Sequence, residues 1–372
     1  MRVLEAQAAL AKADAAGALP EPTVRVEIED IATRPGSLRP RRVGMLTYSV
    51  IQEFVLWGKL DLQRDIARIE ASQARSRAQQ AELEVRARLK SLFARYYAAH
   101  EAIRATSAVN ALLSKVAEIS RRHYSEGLGT QQDALKAEIE SAKTDAELAT
   151  LEGLKRQLAG QINALLDRPF GAPLANPVRL WGMPAAAKLT VPGLLDRARA
   201  VSPELASRGG EIRIAQNNRE LVRRSWYPDP MLGVSAVDRD RRFSGYEFML
   251  EFKVPLAFER RAAQAREAEA RIRGAEAGLS DAILKLRGEL EEAVWSLAAL
   301  RRTEALTRTR IVGPSEVAVQ GALAAYEARR IDSVTVLDNV SRARQARLDL
   351  LKIQVEQRQK LATIERLIGE EL

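Results

Sequence analysis

His100 and His123 are the two histidines of this chain, and imidazole is a common general base and metal ligand in proteins. To form a catalytic or metal site they would need partners, such as a thiolate, a nucleophile or a group of carboxylates. The chain contains no cysteine, and neither histidine is accompanied by a paired acidic cluster or a phosphate-cradling glycine loop. His123, next to Arg122, is typical of a surface residue. The sequence therefore predicts a protein that is not an enzyme, with no metal site and no cofactor.

The composition indicates long helices that pack closely. Hydrophobic residues make up 46% of the 372 residues, much of this alanine, while aromatic residues make up only 5%. Such a composition favours narrow helix–helix seams over a bulky globular core. No run approaches the roughly 18 apolar residues of a membrane-spanning helix. Without cysteine, disulfides and thiolate metal sites are excluded for this chain.

The net charge of +9 has two interpretations. Basic proteins often bind nucleic acids or anionic membrane surfaces. Along the predicted helices, however, arginine and lysine are interleaved with glutamate, which is typical of solvated helix faces. We therefore predict no nucleic-acid partner.

The sequence repeats itself after about 200 residues, and such a duplication usually builds one symmetric object rather than two separate domains. Pro20-Glu21-Pro22, followed by an alternating stretch, returns as Pro228-Asp229-Pro230 followed by another. The motif that begins at Tyr124 returns at Tyr326. Each half is predicted to contain a strand, a turn, a second strand, a very long helix, a turn and a returning helix.

We expect three parts: a first repeat (1–168) with a partial lead-in helix, a connector (169–192) rich in Pro, Gly and Ala, and a second repeat (193–372). The chain enters its first helix directly from Met1, without the segments of a signal peptide. The second repeat has a longer lead-in, so the first repeat is expected to have a truncated start. The predicted elements are strands at about 23–33, 43–56, 230–238 and 244–256, long helices at 58–125 and 258–327, and return helices at 130–167 and 332–369.

The predicted strands alternate strictly between apolar and polar residues. The clearest is the last, where Tyr246, Phe248 and Leu250 share one face and Glu247 and Glu251 the other. This pattern fits a soluble sheet with one dry face, or a transmembrane β-barrel with apolar side chains towards lipid. Four strands are too few to close a barrel, for which about eight are needed, so the membrane interpretation requires an oligomer. Aromatic residues at the helix-side strand ends favour it, since such residues concentrate at membrane interfaces: Trp57, Trp226 and Tyr227.

The two long helices carry coiled-coil seams. In the first, apolar residues recur with alternating gaps of about four and three residues from Ala67 to Ile103. The second contains a stutter between Leu286 and Leu290, which predicts local unwinding of the supercoil. At about 1.5 Å per residue such a helix is about 100 Å long, too long for a globular domain. A cytosolic coiled-coil rod is the alternative, although a rod has no need of two β-hairpins.

Each long helix is predicted to reverse direction in a short turn. We call residues 126–130 the first tip turn and residues 329–333 the second tip turn. Glycines in the first favour left-handed backbone, and Asp332 or Ser333 can cap the helix that follows the second.

Taken in order, these motifs resemble the TolC family of outer-membrane efflux channels. The resemblance is carried by the two Pro-acid-Pro motifs, the strand-to-helix junction 49–60 with its Gly58-Lys59, its second copy at 254–256, the segment 311–314 and the two tip turns. Two departures are that Arg329 stands where the family usually has a tip glycine, and that residues 55–57 lack the usual proline. The Gly58-Lys59 junction is most similar to the CusC/CzcC-like heavy-metal branch.

The resemblance implies a mainly α fold with a small β part, namely a long α-helical barrel plus a transmembrane β-barrel built by a homotrimer with four strands per chain. It also implies an outer-membrane location with extension into the periplasm of a Gram-negative bacterium. Such channels are passive ducts that contact a periplasmic adaptor (a membrane fusion protein) and an inner-membrane pump, here of the RND type, and they are embedded in outer-membrane lipid. The cargo implied by the branch is heavy-metal cations.

On this resemblance, the tip turns are predicted to contact the adaptor, whereas the simpler interpretation is that they only reverse the chain. The predicted contact residues are Tyr124, Gly127, Leu128, Gly129, Thr130, Arg330, Ile331, Asp332 and Ser333. A pore constriction is predicted at Asp133, Asp332 and Asp338, with ion pairing to Arg121, Arg122 or Arg330 as the alternative. The basic hairpin residues Arg34, Arg39, Arg41 and Arg42 are predicted to pair with lipid phosphates of the outer leaflet.

Two alternative functions stay open on the sequence. One keeps the channel but changes its cargo, to drugs or to proteins exported by type I secretion. The other is of a different class, a soluble basic coiled-coil scaffold or nucleic-acid-binding protein, and it assigns no role to the alternating strands.

Overall fold

The computed structural model describes residues 1–33, 40–239 and 242–372, and in these residues the chain is mainly helical with one small sheet. The helices are α1 (Arg2–Ala15), α2 (Lys59–Ser125), α3 (Gln131–Leu165), α4 (Val191–Val201), α5 (Pro203–Arg224), α6 (Phe258–Leu306), α7 (Gly313–Glu327) and α8 (Ser333–Ile368). The strands are β1 (Thr23–Thr33), β2 (Pro40–Glu53), β3 (Pro230–Arg239) and β4 (Arg242–Phe252). No helix among these residues is both long enough and apolar enough to cross a membrane.

The return helices begin at side-chain caps. Thr130 precedes α3, and its hydroxyl accepts a hydrogen bond from the backbone N–H of Asp133. Asp332 precedes α8 and accepts from the N–H of Thr335 in the same way. Each cap satisfies a backbone donor that the first helical turn leaves unpaired. The helix after each tip turn therefore starts at a residue fixed by local chemistry.

The second long helix is not continuous α-helix. The sequence predicts one helix over 258–327, but a π-helical segment, Thr307–Val312, separates α6 from α7. Pro314 is the second residue after this segment, and proline lacks the N–H for the helical ladder and clashes with the carbonyl one turn before it. A wider turn is a common way to accommodate such a break. The stutter between Leu286 and Leu290 lies within α6, which is uninterrupted there.

The four strands form one antiparallel sheet in the order β1-β2-β3-β4. The register aligns one residue from each strand in a row across the sheet: Val24, Val50, Val234 and Phe248. The central pair, β2 and β3, joins the two sequence repeats. The hydrogen-bonded strands β2 and β4 stop short of the predicted ends at 56 and 256. After β2, Trp57 and Gly58 adopt positive φ, and after β4, Pro255 cannot donate to the ladder.

The chain divides into two compact units, and each contains parts of both repeats. The first comprises residues 1–79 and 203–284, and includes the sheet. Its helical core is an alanine seam of Ala13, Ala67 and Ala71. Small side chains at these positions allow close approach of α1 and α2, as the seam predicts.

The second unit comprises residues 80–202 and 285–372. One of its clusters packs α2 against α3 around Tyr96 and Leu158. Another joins helices on both sides of the tip turns: Leu113, Val116, Ala117, Ala137, Ala322, Tyr326, Val336 and Val340. The connector also belongs to this unit and holds one short 3₁₀ turn, Ala186–Lys188. Its Trp181 packs against Phe93, with 6.3 Å between ring centroids.

Candidate functional site

The sheet exposes its apolar face. Side chains of the row across the sheet are largely exposed, from 47% for Val234 to 83% for Phe248. On the opposite face Thr47 and Ser49 are buried, and the Ser49 hydroxyl lies 2.8 Å from that of Ser235. Full burial of a large apolar side chain is worth about 1.5–3 kcal/mol, so a whole face left exposed indicates a surface that contacts something other than water.

This exposed face is most regular along β4. Every second residue from Tyr246 to Phe258 is apolar and more than half exposed: Tyr246, Phe248, Leu250, Phe252, Val254, Leu256 and Phe258. We call this set the apolar stripe. β4 itself has 11 residues, which matches the length of about 9–11 residues that a tilted membrane-spanning strand needs.

A cluster of polar contacts, which we call the junction clasp, ties the end of β2 to the start of β3. The Lys59 ammonium donates to the Asp229 carboxylate and to the Tyr227 carbonyl, both at 2.7 Å. The Asp229 carboxylate also accepts from the Leu56 N–H at 3.1 Å, and the Trp57 indole donates to the Pro228 carbonyl at 2.9 Å. The clasp therefore connects the Gly-Lys motif of one repeat to the Pro-Asp-Pro motif of the other.

The backbone at this junction is constrained. Trp57 and Gly58 have φ of 62° and 65°, a left-handed conformation that costs a non-glycine residue about 1–2 kcal/mol. The Arg224 guanidinium donates to both of their carbonyls, at 2.8 and 3.0 Å. These contacts hold the turn, and sequence reasoning did not identify Lys59, Asp229 or Arg224 as site residues. The signal for the first two was present, since both belong to motifs that mark the repeat.

The three aromatic residues predicted for a membrane interface lie in the same region. Trp57 and Tyr227 are each 52% exposed, and their ring centroids are 5.2 Å apart. Trp226 is 40% exposed and packs against Phe258 at 5.7 Å. The structure thus brings together residues from the ends of both hairpins, next to the exposed apolar face.

The two tip turns have equivalent backbones. In the first, Gly127 has φ of 72° and the Leu128 N–H donates to the His123 carbonyl at 2.7 Å. In the second, Arg329 has φ of 57° and the Arg330 N–H donates to the Ala325 carbonyl at 2.8 Å. Arg329 therefore occupies the left-handed position that glycine occupies in the first turn.

An ion pair connects the two tip turns, and a hydrogen bond connects the second tip turn to the first turn of α3. The Ser333 hydroxyl donates to the Asp133 carboxylate at 3.1 Å, and Arg329 pairs with Glu126 at 3.4 Å. Most predicted contact residues line one depression of about 430 Å³: Leu128, Gly129, Thr130, Arg330, Ile331, Asp332 and Ser333. Tyr124 and Gly127 are exposed beside it rather than part of its lining.

The three predicted constriction aspartates have different partners. The Thr130 hydroxyl donates to Asp133, and this contact, with the Ser333 hydrogen bond, lowers the pKa of the Asp133 carboxyl despite partial desolvation. The side chain and backbone of Thr335 lower the pKa of Asp332 in the same way. Asp338 pairs with Arg342 one turn later at 3.0 Å.

Of the three arginines named as alternative partners, Arg121 and Arg122 pair elsewhere, whereas Arg330 lines the depression between the tip turns. Arg121 pairs with Glu138 at 2.9 Å, and Arg122 with Glu118 at 3.2 Å. The predicted contact with lipid phosphates involves the basic hairpin residues. Arg34 and Arg39 lie outside the described residues, and the side chains of Arg41 and Arg42 are not described either.

The two histidines have separate environments. The His123 ring packs near Tyr326, with centroids 5.7 Å apart. His100 Nδ1 lies 3.2 Å from the Lys155 ammonium, and desolvation followed by the Lys155 charge lowers the pKa of His100. Among the described residues, no group of three or more His, Cys, Asp or Glu side chains could hold a metal ion.

The amino-acid sequence matches one known protein family over most of its length. The model of the outer membrane efflux protein family matches residues 2–167 and 194–370. No curated protein sequence matches the chain.

Solved structures with the same fold are outer-membrane channels of low sequence identity. The channel OprN is 18% identical to this chain with a TM-score of 0.82, and the match covers 99% of this chain and 86% of the OprN chain. VceC from Vibrio cholerae is 18% identical with a TM-score of 0.80, and the match covers 100% of this chain and 91% of the VceC chain. CusC is 16% identical with a TM-score of 0.84, and the match covers 100% of this chain and 88% of the CusC chain. On its sequence match and its fold, the chain belongs to the outer membrane efflux protein family, whose members are passive channels of the outer membrane and not enzymes.

Proposed function

We propose that this chain forms, as a homotrimer, the outer-membrane duct of a tripartite efflux system. The observation that carries this proposal is the sheet with its apolar face exposed and polar side chains buried behind it. Contact of this apolar face with lipid has no free-energy cost, whereas its exposure to water is unfavourable. Family membership removes the alternative of a soluble scaffold or nucleic-acid-binding protein.

The free edges of the sheet support the trimer. β1 and β4 are the edge strands, so one side of each has backbone groups without a partner in the sheet. Backbone groups cannot stay unpaired in hydrocarbon, and a barrel needs about eight strands or more. Three copies of a four-stranded sheet satisfy both requirements when β1 of one copy pairs with β4 of the next. Native mass spectrometry of the detergent-extracted protein should give a trimer, and a monomer would contradict the proposal.

The proposed adaptor contact is the depression between the tip turns. Leu128 is 54% exposed there and offers an apolar side chain to a partner helix. A substitution at Gly129 is a poor test, because a Cβ would lie 3.2 Å from the Cβ of His123 and would disturb the turn itself. Leu128→Glu changes the surface without that strain.

The matched control is Leu135→Glu, since Leu135 is 49% exposed on α3, outside the lining of the depression. We expect Leu128→Glu to reduce efflux while trimer yield is unchanged, and Leu135→Glu to leave both near wild type. Equal efflux by the two variants would remove the tip turns as the adaptor contact. The inner-membrane partner in this proposal is an RND-type pump.

The proposed cargo is heavy-metal cations. Support comes from Gly58-Lys59, which resembles the metal-efflux branch and whose lysine forms the junction clasp. Deletion of the gene, followed by growth in graded copper, zinc and cobalt salts and in a panel of drugs, tests the cargo. Sensitivity to metals alone, restored by the wild-type gene, is expected. Sensitivity to drugs alone, or failed export of a protein, would assign the duct to one of the other two cargoes.

The proposed constriction is a ring of aspartates from three copies. Asp338 is exposed, and its pairing with Arg342 partly neutralises it. Asp133 is instead held between Thr130 and Ser333. If Asp338 lines the pore, Asp338→Asn should change the cation selectivity of single-channel current in planar bilayers, with unchanged selectivity arguing against the ring.

A further inference from the structure

The apolar stripe does not end with its strand. β4 stops at Phe252, yet Val254, Leu256 and Phe258 continue the alternation and are 60%, 70% and 62% exposed. Phe258 is also the first residue of α6. The exposed apolar surface therefore reaches the first turn of the helix.

Two arginines follow the last apolar residue directly. Arg260 is exposed in the first turn of α6, and Arg261 beside it is partly buried. The Arg261 guanidinium lies over the Trp226 ring, 5.1 Å from its centroid, and Nη1 donates to the Ser225 hydroxyl at 2.6 Å. A cation held on an aromatic face is oriented while most of its N–H groups stay free to bind an anion.

The other arginines near this point are already engaged. Arg223 and Arg224 both pair with Glu220, at 2.8 and 3.1 Å. By contrast, Arg260 and Arg261 take part in none of the ion pairs of the described residues. Glu259 is the one acidic residue between Phe258 and Arg261, so the first turn of α6 has a net positive charge.

We propose that Arg260 and Arg261, with Trp226 and Phe258, form a binding site for the phosphate of a membrane phospholipid at the helix-side end of the sheet. In this site the apolar stripe contacts the acyl chains of the lipid. The two arginines lie at the end of the stripe, which is where the phosphate of a lipid lies relative to its hydrocarbon chains. Arginine suits this role because its planar guanidinium binds phosphate through two parallel hydrogen bonds. This site rests on the proposed function, in which the apolar stripe faces lipid.

The test measures lipid retained by the detergent-purified trimer in native mass spectrometry. The probes are dioleoyl phosphatidylglycerol and dioleoylglycerol, which share acyl chains and differ in the phosphate-containing headgroup. The test variant is Arg260→Gln with Arg261→Gln. The control is Arg266→Gln with Arg273→Gln, which removes the same charge from exposed positions further along α6.

A basic residue near an anionic membrane surface contributes about fivefold in affinity, so the test variant should bind phosphatidylglycerol about 25-fold more weakly than wild type. Its binding of dioleoylglycerol should be unchanged, and the control should lose less than about threefold of its phosphatidylglycerol affinity. Unchanged phosphatidylglycerol binding by the test variant, or an equal loss in the control, overturns the site. If wild type instead retains neither lipid, the lipid-facing stripe fails, and the proposed function fails with it.

Discussion

Removal of the Lys59 ammonium should destabilise the junction clasp far more than removal of an exposed lysine elsewhere. Lys59 is only 11% exposed in its side chain and Asp229 22%, so both charges are largely withdrawn from water. In Lys59→Met the apolar stem remains, but the Asp229 carboxylate keeps its partly buried position without the cation. The Tyr227 carbonyl also loses its donor.

The magnitude follows from the two lost hydrogen bonds. A hydrogen bond to a charged group contributes about 1.5–3 kcal/mol, and removing one partner of a fully buried ion pair costs about 3–5 kcal/mol. Asp229 keeps the Leu56 N–H as a donor and is partly exposed, so we expect a smaller cost, about 2–3 kcal/mol. This corresponds to about 30- to 140-fold more opening of the junction.

Hydrogen exchange of the trimer measures that opening, because the Leu56 amide donates directly to Asp229. The matched control is Lys12→Met, which removes an ion pair between Lys12 and Glu70, 3.2 Å apart. Both side chains are exposed, Lys12 by 73% and Glu70 by 44%. Surface pairs contribute about 0–1 kcal/mol, so the control should change exchange less than about fivefold. If Lys59→Met accelerates exchange at Leu56 no more than the control does, the clasp does not stabilise the junction.

Two further predictions concern the tip turns. Gly127→Ala should destabilise the first tip turn by about 1 kcal/mol, because φ of 72° disfavours a Cβ, whereas Arg329→Gly at φ of 57° relieves similar strain and loses only the exposed pair to Glu126. Limited proteolysis of the trimer should therefore be faster for Gly127→Ala and not faster for Arg329→Gly, and the reverse order would be inconsistent with equivalent turns. Asp133 has a lowered pKa in the folded state, so its stabilising effect is present above the ordinary value of 3.8 and is lost as pH falls through the folded value. The melting temperature of Asp133→Asn should accordingly lie further below that of wild type at pH 7 than at pH 3, and a constant difference would rule out this contribution.

Local patterns in the sequence predicted much of the fold. Alternation over β4 placed Phe248 and Glu247 on opposite faces, and Gly127 and Asp332 marked the tip turns, because these signals depend on a few neighbouring residues. The π-helical segment was missed, although Pro314 was its signal, because a proline does not specify how a helix accommodates it.

The junction clasp was harder to predict for another reason. Lys59 and Asp229 belong to different repeats, and no local rule pairs residues that are remote in sequence. Trp57 at positive φ runs against propensity and is held there by long-range contacts, including Arg224. Among the candidate sites, the sequence indicated the tip residues individually, but not the Ser333–Asp133 contact that joins the second tip turn to the start of α3.

In the membrane, the exposed apolar face of the sheet should contact lipid and the opposite face should not. The chain has no cysteine, so single cysteines can be introduced as Phe248→Cys and Glu247→Cys and labelled with a polarity-sensitive fluorophore in the reconstituted trimer. These neighbours in β4 lie on opposite faces of the sheet. Quenching by nitroxide-labelled phospholipid should be strong at 248 and weak at 247, while aqueous iodide should quench mainly at 247. Quenching of both positions by iodide, with neither reached by the lipid nitroxide, would show that this face does not contact lipid.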